Sequence, residues 1–238
     1  MSAPPALLLV HGAWHGPWCW RQLIDELPDV DVRTVALPSS GSSSGGDPGA
    51  PGGPGVLGDL RDDAAAVAEA VAAIDGPVVV VAHSYGGVPV TEALGSVGDV
   101  RRLVYLCAFQ LEVGDSLLSS VGGAPPPWWE VHEREGYTVP LEPERVFYGD
   151  VDPELARQAV ARIGPQSLAS FSQPLTRAAW HTLPSTYVIC EADGATPPFV
   201  QEAMSARAQE VRRLDASHSP FLSRPAGLAA LLREELAR

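Results

Sequence analysis

Lysine is absent from this chain: all 16 basic residues are arginine, set against 29 acidic ones, for a formal net charge of −13. So acidic a balance argues against nucleic acid and against anionic membrane surfaces as partners, since both require clustered positive charge. Long apolar runs are missing too, and none approaches the roughly 18 residues of a membrane span. Cysteine is scarce: Cys19, Cys107 and Cys190 are odd in number, far apart and without metal-ligand spacing. They read as small buried hydrophobes, with no metal and no cofactor expected. The first residues lack the basic start and apolar stretch of a secretory signal. Together with the cysteine usage, this makes a cytoplasmic setting the expectation. Oligomeric state leaves no trace in the sequence.

What is present suffices for a folded core. Hydrophobic residues make up 45% of 238 residues, which fits one large α/β domain or a domain with an inserted cap. Short runs rich in Val, Leu and Ile recur at 6–11, 31–37, 77–83, 102–108, 186–191 and 211–215. Helical patterns fall between them at 17–27, 57–74, 87–94 and 198–207, with 219–236 closing the chain. In the second of these, Leu57, Leu60, Ala64, Val67, Val71 and Ile74 recur at steps of three and four, an amphipathic face. Strands apolar on both faces suit a mostly parallel, doubly wound sheet of about six strands covered by helices.

Two segments break the alternation. Residues 39–55 are almost pure Gly, Ser, Pro and Ala, a flexible surface loop that is either an unstructured insertion or a mobile flap. Residues 109–182 carry Pro125-Pro126-Pro127-Trp128-Trp129, short helical pieces such as 153–163 and 166–169, and no strong strand. An insertion there would sit above the carboxyl ends of the strands, where ligands bind in such sheets. The expectation is a helical cap at 109–182 on a core formed by 1–108 and 183–238.

The chemistry centres on His83-Ser84-Tyr85-Gly86-Gly87, directly after the apolar run Val78-Val79-Val80-Val81-Ala82. This is a G-x-S-x-G pattern with alanine at the first small position. It places a serine on a tight strand-to-helix turn that strains its backbone and exposes its hydroxyl. A serine hydroxyl needs a base to take its proton, and the base needs a partner to fix its tautomer. His218 follows the last strand-like run. Asp193 follows the run before it, within Glu191-Ala192-Asp193-Gly194. Glu191, Asp215 and Asp115 compete with Asp193 for the acid role. Glu191 falls inside the strand edge, and Asp215 stands only three residues from His218. The developing oxyanion needs donors: the backbone N–H of Tyr85 and that of Ala13, beside Gly12, in the loop after the first strand. His15 braces that loop. Trp14, Trp128 and Trp129 either wall the pocket or pack the cap onto the core.

These motifs resemble the α/β-hydrolase superfamily, and within it the short members related to plant methyl esterases and hydroxynitrile lyases. The resemblance rests on Leu9-Val10-His11-Gly12-Ala13-Trp14-His15-Gly16-Pro17-Trp18-Cys19-Trp20, Ala82-His83-Ser84-Tyr85-Gly86-Gly87, Cys190-Glu191-Ala192-Asp193 and Asp215-Ala216-Ser217-His218-Ser219-Pro220. It implies a Ser84–His218–Asp193 triad and a fold beginning at what is usually the third strand. Lyases of this group resemble one another in a threonine at the position of Gly12 and a lysine after the catalytic histidine. Here those positions hold Gly12 and Ser219, which favours ester hydrolysis over cyanide release. The expected activity is cleavage of a carboxylic ester or lactone, a small-molecule substrate with an apolar moiety. Two rivals stand beside it. One is a lyase, cyclisation or carbon–carbon cleavage step of secondary metabolism with His218 as base, in keeping with an Arg/Ala/Gly/Pro-rich chain of a GC-rich genome. The other is a non-catalytic small-molecule binding protein.

Overall fold

A computed structural model describes residues 4–41 and 57–238. Its centre is a sheet of β1 (Ala6–Val10), β2 (Val32–Val35), β3 (Pro77–His83), β4 (Asp99–Leu106), β8 (Ser185–Cys190) and β9 (Glu210–Leu214), with all neighbours parallel. The spatial order is β2-β1-β3-β4-β8-β9. β1 and β8 are buried along their whole length, as strands covered on both faces are. From β1 the chain moves outward to β2, then returns to lay β3 on the other side of β1. That reversal opens a crevice at the carboxyl ends of β1 and β3. The loops bearing Gly12–Ala13 and Ser84 leave from those two strands.

Helices cover both faces. α1 (Arg21–Asp25) packs with α9 (Pro220–Ser223) and α10 (Pro225–Leu236), while α2 (Leu60–Ala72) packs with α3 (Gly87–Ala93); α8 (Pro198–Ser205) lies against β8. The amphipathic face expected from residue 57 onward starts three residues later. Asp59 caps the helix, accepting from the N–H groups of Arg61 and Asp62 while Asp62 reaches back to it. Leu60, Ala64, Val67 and Val71 are buried against the sheet. The closing helix is likewise divided, with Arg224 outside helical geometry and Pro225 starting the next helix.

The segment between β4 and β8 departs from the helical reading. Besides α4 (Leu117–Ser120), α5 (Pro143–Phe147), α6 (Pro153–Val160) and α7 (Leu168–Ser172), it holds three strands. They are β5 (Trp129–His132), β6 (Tyr137–Pro140) and β7 (Gln166–Ser167), paired antiparallel in that order. Part of the expected helical piece at 166–169 is therefore strand. The reason is pairing that no local pattern reveals: Gln166 bridges to Ser40 as well as to Thr138. The Gly/Ser/Pro loop expected at 39–55 lies, from residue 42 on, outside the described residues. Ser39 itself is buried. Among the described residues no helix is long and apolar enough to cross a membrane.

Candidate active site

β3 ends at His83, and Ser84 takes φ +51, the left-handed region that side chains ordinarily avoid. The turn fits because its glycines meet backbone. A Cβ at Gly86 would stand 2.6 Å from the His11 carbonyl oxygen, and one at Gly87 would stand 2.5 Å from that of Phe109. The Phe109 N–H also donates to the Ser84 carbonyl at 3.0 Å. Neighbouring strand ends thus clamp the turn from two sides. Strain of this kind costs about 1–3 kcal/mol and persists only where surroundings over-determine it.

Across the same rim, His218 Nδ1 donates to Asp193 Oδ2 at 2.7 Å. A carboxylate can only accept, so the imidazole proton sits on Nδ1 and Nε2 is left as the basic nitrogen. Asp193 is fully used. Its Oδ1 accepts from the N–H groups of Ala195 and Thr196 at 2.8 Å, and its Oδ2 also accepts from Gln201 Nε2 at 3.2 Å. His83 Nε2 donates to the His218 carbonyl at 2.8 Å, and the two imidazole rings lie 4.6 Å apart. Among the described residues the Ser84 hydroxyl makes no hydrogen bond to His218; His83 is the link between them. Free enzymes commonly hold that contact long until substrate binds. The competing acids lie apart from the imidazole. Glu191 pairs with Arg213, Asp215 is exposed, and the carboxylate paired with His218 is that of Asp193 and not of Asp115.

The loop after β1 faces this turn. A Cβ on Gly12 would stand 2.8 Å from His83 Nδ1 and 2.9 Å from Ser84 Cβ, so only glycine fits there. The Ala13 N–H has no acceptor among the described residues. The Tyr85 N–H, second in a helical turn, has none within that turn. Trp14 is left-handed, φ +62. Its N–H donates to Gln166 Oε1 at 3.2 Å, its indole to the Thr138 carbonyl at 3.0 Å, and its carbonyl accepts from the Gly164 N–H at 3.0 Å. Two histidines brace the loop. His11 donates from Nδ1 to the Gly12 carbonyl and accepts the Leu37 N–H at Nε2. His15 donates from Nδ1 to the Ala13 carbonyl and accepts the Tyr148 hydroxyl. Burial pushes His11 down to about 4 and His15 to about 3, so both are neutral.

A small apolar cavity of about 40 Å³ opens beside Ala13, with Trp14, Trp128, Trp129, Phe171 and Thr196 in its wall. Ser84, His218 and Gly12 are not part of that wall. Trp14 packs edge-on against both Trp128 and Trp129, 5.5 and 5.4 Å away, so the wall of this cavity and the packing of the segment between β4 and β8 onto the loop after β1 are one cluster. A larger hollow of about 340 Å³ lies beside Pro77, at the far end of β3 from Ser84.

His83, Cys107 and His218 bring one donor atom each within 4.8 Å of one another. They do not fit a metal. Burial raises the Cys107 thiol well above its usual range, which disfavours the thiolate a metal would need, and its Sγ lies 3.6 Å from the His218 carbonyl oxygen.

Sequence reasoning missed Gln201, Asp63 and Gln166. Gln201 anchors Asp193 and both backbone groups of Cys190. Asp63 accepts from Ser39 and from the Tyr85 hydroxyl at 2.6 Å. Asp63 and Gln201 are polar residues within helices and Gln166 lies in a two-residue strand, so none carries a local signal of such a role.

The profile of the alpha/beta hydrolase family matches residues 7–231. Alpha/beta hydrolase nvfD of Aspergillus novofumigatus is 31% identical over 249 residues, covering 96% of this chain and 95% of that protein. Carbendazim hydrolyzing esterase of Nocardioides sp. is 31% identical over 202 residues, covering 81% and 82%. The crystal structure of a pyrethroid hydrolase from Sphingobium faniae JZ-2 superposes with TM-score 0.82 at 23% identity, covering 98% and 97% of the two chains.

Proposed function

Because the chain belongs to the alpha/beta hydrolase family, we propose that it cleaves a carboxylic ester or lactone through an acyl-enzyme on Ser84. The observation that carries this is the His218–Asp193 bond at 2.7 Å on the rim where Ser84 takes its left-handed turn. His218 Nε2 takes the Ser84 proton as the hydroxyl attacks the carbonyl, then returns it to the leaving alcohol. Asp193 holds the tautomer and stabilises the imidazolium. The N–H groups of Ala13 and Tyr85 receive the oxyanion, each worth about 3–4 kcal/mol of barrier. Water then releases the acyl group by the same base. Residues 109–182 act as the cap and supply Trp128 and Trp129 to the substrate wall.

The wall beside Ala13 carries no charged side chain, which supports an uncharged apolar substrate. The steric seal at Gly12 also speaks against the lyase-type threonine, whose Cβ would meet His83. Three free, buried cysteines accord with a cytoplasmic setting.

The test is a panel of esters, lactones and cyanohydrins with wild type and Ser84→Ala, alongside a fluorophosphonate label. Loss of turnover by about 10⁴-fold or more, with label on Ser84 alone, supports the acyl-enzyme. The imidazole anchored through Nδ1 would also serve one rival, direct proton abstraction by His218 without acylation. Turnover that survives in Ser84→Ala would establish that rival and overturn the acyl-enzyme.

A further inference from the structure

Trp14, next to the proposed donor Ala13, and Tyr85, which supplies the other, are joined by one buried hydrogen-bond chain. The Trp14 N–H donates to Gln166 Oε1 at 3.2 Å. Gln166 Nε2 donates to Ser39 Oγ at 2.6 Å, and Ser39 donates to Asp63 from Oγ at 2.5 Å and from its N–H at 2.8 Å. The Tyr85 hydroxyl closes the chain on Asp63 at 2.6 Å. Gln166 is fully satisfied, since Oε1 also accepts from Ser40 and Nε2 also donates to Ser170. We infer that Gln166 and Asp63 are positioning residues that set the two oxyanion donors through this chain, so that a strand of the cap completes the catalytic rim. The inference rests on the hydrolase reading above.

Packing alone does not account for the arrangement. A buried, fully paired polar chain gains little over apolar residues of the same shape, and every missing partner leaves a costly orphan. Trp14 holds a left-handed backbone, and its N–H, carbonyl and indole are all bonded to residues between β4 and β8. Within its own loop only the Ala13 carbonyl is held, by His15 Nδ1 at 2.8 Å; the N–H of the same peptide is held by Gln166. Release of Gln166 removes one of the two anchors of the Ala13–Trp14 peptide and lets Ala13 shift, and displacement by about 1 Å at a catalytic group costs about 100-fold in rate.

The test compares wild type, Gln166→Leu, Tyr85→Phe and the double variant. It measures kcat and KM on an activated ester, and inhibition by a trifluoromethyl ketone that forms an oxyanion on Ser84. The expected result is a fall in kcat of about 10- to 100-fold for Gln166→Leu, with KM little changed. Ketone affinity should weaken by the same factor. The two substitutions should be less than multiplicative together, because they break one chain. Wild-type kcat and ketone affinity in folded Gln166→Leu would overturn the inference and leave the hydrolase reading intact. Should Gln166→Leu fail to fold, Tyr85→Phe, which deletes one hydroxyl, takes its place. A parallel fall in kcat and ketone affinity there supports the inference, and wild-type values for both overturn it. If the wild type neither hydrolyses esters nor takes a phosphonate on Ser84, the hydrolase reading fails, and the inference with it.

Discussion

A methyl group on residue 86 has nowhere to go, with the His11 and Val10 carbonyl oxygens 2.6 and 2.9 Å from its position. Gly86→Ala is therefore expected to destabilise the fold by about 1–3 kcal/mol, read as a lower denaturant midpoint; an unchanged midpoint would contradict this packing. Asp193→Asn should keep the fold yet lower kcat by about 10⁴-fold, because an amide nitrogen facing Nδ1 selects the wrong tautomer. Steady-state kinetics on the same ester would show it, and near-normal kcat would remove Asp193 from its role. At this scale much was legible. Ser84, Gly86 and Gly87 stand together in sequence, so their spacing speaks for itself. Gln201 and Asp63 were not, since each acquires its partner only when distant strands and helices meet.

Among the elements, the segment between β4 and β8 read least clearly. Its strands have four, four and two residues, too short for alternation to stand out from noise. A signal did exist: Gly136 takes φ +75 at the turn joining β5 to β6, which a glycine after Glu133-Arg134-Glu135 allows. Gln166–Ser167 offered none, being strand only through its partners. The six core strands, by contrast, are apolar runs bounded by turns, and all lie within a few residues of their expected positions. Trp129 joins this segment to the loop after β1, lying 4.5 Å from Phe171 and 5.4 Å from Trp14. Trp129→Ala should cost about 3–5 kcal/mol and widen the apolar cavity. Relative kcat/KM should then shift toward bulkier acyl groups across an ester series; an unshifted series would show that the cavity does not receive substrate.

For the molecule as a whole, buried histidines set the response to acid. His11 and His15 stay neutral in the folded state down to about 4 and about 3, whereas unfolded histidine takes up its proton near 6.5. Between those limits the unfolded chain binds more protons, so stability falls as pH falls, by about 1.4 kcal/mol per group per pH unit. His83, also held low by burial, adds to this. Asp63 opposes it: burial raises its carboxyl to about 6 from 3.8, so in that window the folded state binds the extra proton. The histidines outnumber it, and unfolding free energy should drop between pH 6.5 and 4.5, more steeply in Asp63→Asn. Urea unfolding across that range decides the matter; a flat or rising profile would refute it.

The sequence by itself determined the layered sheet, the serine turn and the candidate base and acid, because each is written in short-range pattern and chain order. Only the tertiary structure decided which carboxylate meets His218, why position 12 admits no side chain, and how Gln166 reaches the loop of Ala13. Those contacts join residues up to 152 positions apart, and a hydrogen bond across such a distance exists only once folding has closed the loop between its ends.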